Sequence, residues 1–134
     1  MPANIIAAWT VDSTTGSLTV VPGSPFAAGN VPGQIVIDPT GKFLYVPNAQ
    51  DRTVSGFTID AVSGALTPMT GSPFAIAASS LALAPSGNFL FAGTGATITA
   101  FSINASTGGL TSVGNAASMP VGDPARELTT VKVP

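Results

Sequence analysis

Residues 57–74 read FTIDAVSGALTPMTGSPF, and residues 9–26 read WTVDSTTGSLTVVPGSPF, 48 positions earlier. A shorter third copy, FSINASTGGLT, occupies 101–111. Aromatic matches aromatic at Trp9, Phe57 and Phe101, glycine matches glycine at Gly16, Gly64 and Gly108, and Leu-Thr closes each. Self-similarity at a spacing of about 45 residues indicates one supersecondary unit used several times, each copy burying its face on the next.

A second pair of segments repeats as well: IDPTGKFLYV (37–46) and LAPSGNFLFA (83–92). DPTG and APSG have type I turn chemistry, with proline presetting φ and glycine at the exit. The flanking runs IVI (35–37) and LAL (81–83) are apolar without interruption, which predicts inner strands buried on both faces. Ile5, Ala7, Trp9 and Val11 alternate with other residues and predict one face of a third strand. Pro22 and Pro68 follow in the next strand, and a residue lacking the N–H belongs at a sheet edge. No segment sustains a helical apolar face.

The unit is therefore four antiparallel strands, and the fold class is all-β, made of β-propeller blades. GSPF falls in the link from an outer strand to the next inner strand, where Phe26 and Phe74 are expected to fill gaps between blades. The predicted divisions are a half blade at 5–22, full blades at 34–70 and 79–114, and a single strand at 126–133, eleven strands in all.

The 134 residues carry 7 % charged side chains, far below the roughly 25 % of ordinary soluble domains. With four basic residues, Lys42, Arg52, Arg126 and Lys132, no nucleic-acid partner is expected. Cysteine and histidine are absent, so disulfides, thiolate metal sites and a histidine-based triad are excluded. No apolar run spans a bilayer and the start is not a signal peptide. No cofactor or metal is expected.

DPTGKFLYVPN, VSGFTID, SGALTPMTGSPF and PSGNFLFA together resemble the seven-bladed lactonase-type propellers, the group of 6-phosphogluconolactonase and the YVTN-type repeat proteins, with LYVPN (44–48) at the Tyr-Val motif. The resemblance covers about residues 5–133 and implies a ring of about seven blades, with activity attributed to polar and charged channel residues. Here histidine is missing and Glu127 is the only glutamate.

The expectation is therefore a non-catalytic structural or interaction module; whether the chain is an enzyme stays open, with the missing histidine and single glutamate weighing against it. The alternatives are a lactone hydrolase of the resembled family, or a fragment of one, and a propeller binding a small ligand or glycan. Three blades cannot close a ring, and an open arc exposes apolar faces and strand edges. Copies of the chain, in a ring or filament, or the remainder of a larger propeller are the expected partners. The expected joint sets Ile5, Ala7 and Trp9 of one copy against Arg126, Glu127, Leu128, Val131 and Val133 of another. Low charge and polar loops suggest an extracytoplasmic protein.

Asp51 and Arg52, in a turn two residues longer than its counterpart, form a candidate ligand loop; the plainer reading is a solvated pair. Asp12, Asp60 and Asn104 recur at one repeat position, and turn capping explains them better than a calcium array. Asp123, Arg126 and Glu127 cluster before the last strand, either at a subunit joint or as solubilising charge.

Overall fold

The computed structural model describes residues 4–118, so the predicted strand at 126–133 and its joint residues lie outside the described region. Twelve strands and no helix are present in the described residues. The half blade contains β1 (Ile5–Ile6), β2 (Trp9–Val11), β3 (Leu18–Val20) and β4 (Phe26–Ala27). The first complete blade contains β5 (Val36–Ile37), β6 (Phe43–Asn48), β7 (Thr53–Ile59) and β8 (Leu66–Pro68). The second contains β9 (Ser80–Leu83), β10 (Phe89–Thr94), β11 (Thr97–Ile103) and β12 (Leu110–Ser118). Each complete blade is a four-stranded antiparallel sheet in chain order, with β8 and β12 outermost.

The expected third strand of the half blade is two strands instead of one. Ala8 donates its N–H to Ser24 Oγ at 3.0 Å, outside the ladder, and Gly56 does the same to Ser72 Oγ at 2.9 Å. Beyond that break the GSPF link returns to its own blade. Ile6 pairs with Phe26, and Val54 with Phe74 through two backbone hydrogen bonds of 2.9 and 2.8 Å. Both Ser–Pro bonds are cis, and Gly23 and Gly71 have φ of 87° and 86°. The repeated tetrapeptide thus takes up one N–H on the outer side of the third strand with its serine and extends the sheet with its phenylalanine. Strand β4 is the element that the sequence reading lacked.

Strand β6, FLYVPN, is buried throughout. Its alternate side chains serve two cores, as a period-two strand between layers must. Phe43 and Tyr45 join Val54, Met69, Leu81 and Leu90 between the two complete blades. Leu44 and Val46 join Ile6, Phe57 and Leu66 between the half blade and the first complete blade. Phe74 packs on the former and Phe26 on the latter, as expected for plugs between blades.

Burial on both faces of 35–37 is not observed: Ile35 and Ile37 are 37 % and 54 % exposed. Leu81 and Ala82 in β9 are buried, because the first complete blade covers them. β5 faces a half blade that, within the described residues, has only its outer strands. The predicted face of Ile5, Ala7, Trp9 and Val11 is real but solvent-exposed, and Ile6, on the opposite face, enters the core.

Candidate functional site

Two ends of the strands differ in what their turns do. At one end lie the turns after the inner strand and after the third strand. Asp12 Oδ1 accepts from the N–H groups of Thr14 and Thr15, Asp60 Oδ1 from Val62 and Ser63, and Asn104 Oδ1 from Ser106 and Thr107. These bonds hold the Asp12 and Asp60 carboxyls below their ordinary value, chiefly through the Thr15 and Ser63 N–H groups respectively. The three positions are turn caps, as the capping reading had it.

Asp38 caps the DPTG turn and is buried. Its carboxylate accepts from the N–H groups of Thr40 (3.0 Å), Lys42 (2.8 Å) and Phe43 (2.7 Å), and from the Thr40 hydroxyl. Burial pushes its pKa up, but those hydrogen bonds together outweigh it and leave the group below its ordinary value. The same carboxylate, with burial as the larger cause, raises the Tyr45 hydroxyl. That hydroxyl donates to the Gly108 carbonyl oxygen at 2.7 Å and ties the two complete blades together.

The other end gathers the links between blades and the β6–β7 and β10–β11 turns, and here Asp51 and Arg52 part company. Asp51 accepts from Asn30 N (2.7 Å) and Asn30 Nδ2 (2.8 Å), which lowers its pKa, the backbone bond being the larger cause. Gly29 N donates to Asn48 Oδ1 at 3.0 Å, and Gln50 and Ala49 donate to Asn30 and Val31 carbonyls. Asp51 is thus a clamp on the incoming link, whose Val31 is held at φ 53°. The sequence does not mark Asn30 or Asn48: Asn30 meets Asp51 21 residues on, and Asn48 joins Gly29, 19 residues back, to Thr53 and Ser55 across its own hairpin.

Arg52 lies on the opposite side of the turn. It lines a groove of about 420 Å³ with Ala49, Ala77, Ala78, Ser79, Thr94 and Gly95, between the two complete blades. A second, mostly apolar groove of about 530 Å³ runs along the half blade, lined by Ile6, Trp9, Ile35, Ile37 and Leu44 among others. Among the described residues no group of three or more acidic side chains is placed to hold a metal ion. No helix among them is long and apolar enough to cross a membrane.

The sequence pattern of the family described as Lactonase, 7-bladed beta-propeller, matches residues 2–78, more than half of the chain. The chain belongs to this family. No curated protein sequence matches it. Among solved structures, a Bacteroides fragilis protein assigned as a 6-phosphogluconolactonase is 26 % identical with a TM-score of 0.71, over 83 % of this chain and 32 % of its own. A Bacteroides uniformis protein with the same assignment is 22 % identical with a TM-score of 0.70, over 92 % and 37 %. The periplasmic gluconolactonase of Pseudomonas aeruginosa is 19 % identical with a TM-score of 0.71, over 91 % and 35 %. This lactonase-family chain therefore spans about a third of the length of the propellers that it resembles.

Proposed function

We propose that these blades serve a closed lactonase-type ring that hydrolyses the lactone of a sugar acid. The family match over residues 2–78 carries the reading, and the likeness to the Bacteroides fragilis structure supports it. Lactone hydrolysis needs a base to activate water and positive charge or hydrogen-bond donors where the carbonyl oxygen gains charge. All four described aspartates are committed to backbone hydrogen bonds that lower their pKa, which makes them poor bases. On this reading the described blades contribute shape and the Arg52 charge, and the base comes from outside residues 4–118. Acid release from gluconolactone and its 6-phosphate, measured against the spontaneous rate, tests it. The expected result is acceleration by protein whose ring is closed; a closed ring that matches the blank would rule the reading out.

A second reading is a non-catalytic module that completes its ring with copies of itself. It is favoured by the first blade, where, among the described residues, Trp9, Val11, Leu18 and Val20 are each at least half exposed. Such a patch is unusual on a monomer, and a chain with so few charges has little repulsion to oppose association. The molar mass in dilute solution should then equal two or more chains. A natively folded monomer would dispose of self-assembly and leave the lactonase reading to be judged by its own assay.

A further inference from the structure

We propose that Arg52 forms an oxyanion site, its guanidinium holding a phosphate or carboxylate group in the groove between the two complete blades. The first support is backbone conformation. Arg52 has φ 54°, a left-handed geometry that few residues other than glycine adopt. In the shorter β10–β11 turn of the next blade the left-handed residue is Gly95, at φ 56°, on the other arm of its hairpin. Both residues line the same groove. A left-handed arginine carries a conformational cost that glycine does not.

The side-chain environment shows no structural return for that cost. Among the described residues the Arg52 side chain has no ion pair and no hydrogen bond, and it is exposed. Its acidic neighbour is occupied elsewhere, since both Asp51 oxygens accept from Asn30 and Asp51 lines a different groove. The charge is therefore not neutralised from within the turn.

The rest of the groove is uncharged. Residues 61–122 contain no Asp, Glu, Lys or Arg, so the wall formed by Ala77, Ala78, Thr94 and Gly95 neither competes for the guanidinium nor repels an anion. The Thr94 hydroxyl is already used, donating to the Ala77 carbonyl. Small side chains leave about 420 Å³, room enough for a small anion and the group that carries it. Guanidinium forks match the planar edge of carboxylate and the oxygens of phosphate. The site stands whether or not the ring hydrolyses lactones.

The test titrates inorganic phosphate, and separately gluconate, into the chain while amide signals of Thr94, Gly95 and Arg52 are followed by NMR. Saturable shifts are expected with at least one of the two, and which one responds separates phosphate from carboxylate recognition. Arg52→Gln and Arg52→Gly should each weaken that binding about tenfold or more, the scale of one lost charged hydrogen-bonding pair. Arg52→Gly should melt no lower than the native chain, because glycine relieves the left-handed backbone. Failure of both anions to bind, binding unchanged in Arg52→Gln, or a lower melting point for Arg52→Gly would each overturn the assignment. None of these readouts depends on lactone hydrolysis, so the site and the proposed activity can fail separately.

Discussion

Replacing Gly108 by alanine is expected to destabilise the fold by about 2–5 kcal/mol, combining the left-handed penalty with overpacking. Gly16, Gly64 and Gly108 are equivalent turn glycines with φ of 73°, 74° and 74°. A Cβ at Gly16 meets nothing within 4 Å, and one at Gly64 meets Val21 Cγ2 at 3.3 Å. At Gly108 it would lie 2.5 Å from Met69 Cε and 2.7 Å from Phe43 Cδ1. Met69 has a flexible end, but Phe43 is a buried ring between the blades and has little room to move. Gly16→Ala should therefore cost only about 1 kcal/mol, the left-handed penalty less the gain from a stiffer unfolded chain. Urea unfolding of the three variants should rank them Gly16, Gly64, Gly108 in rising cost. Equal costs would mean that backbone conformation alone sets the requirement and that blade-to-blade contact adds nothing.

Asp38→Ala is expected to cost on the order of 3 kcal/mol at neutral pH, since hydrogen bonds to an ionised acceptor are worth about 1.5–3 each. The substitution strips partners from three backbone N–H groups, and that of Phe43 is buried. The fold should survive, because Ala84 occupies the equivalent position and its turn keeps the same bonds, from Ala84 N to Phe89 O and from Gly87 N to Ala84 O. The wild-type contribution depends on pH in a definite sense. The carboxyl is lowered on folding, so its contribution is fully present above the unfolded value of about 4 and is lost as pH falls through the folded value. Unfolding midpoints measured from neutral pH down to pH about 2 should converge for the wild type and the variant. A gap that stays constant would show that packing, and not the ionised cap, is responsible.

The blade was legible in the sequence because its determinants are local. Turn glycines, the Asp-Pro-Thr-Gly corner and alternating apolar residues each act within a few positions, and repetition made the turn glycines visible three times and the corner twice. Of the two prolines expected on an outer strand, Pro68 lies in β8, whereas Pro22 falls in the turn after β3. The capping roles of Asp12, Asp60 and Asn104 were legible for the same reason. The role of GSPF was only half legible: its place in the link followed from chain order, but its return to its own third strand depends on Ala8 and Gly56 offering an unladdered N–H.

Other features required the blades to be brought together. IVI at 35–37 and LAL at 81–83 are alike as sequence, yet one is exposed and the other buried, because burial depends on which blade stands in front. Asp51 and Arg52 are adjacent in the chain and the sequence offered them as one loop. The twist of a tight turn directs one to Asn30 of the preceding link and the other to the groove beside Gly95. Sequence by itself determined the repeating sheet, since hydrogen-bond ladders and turns are set by neighbours. Only the tertiary structure decided which apolar faces are covered and which charge stands free, because both are fixed by residues far away along the chain.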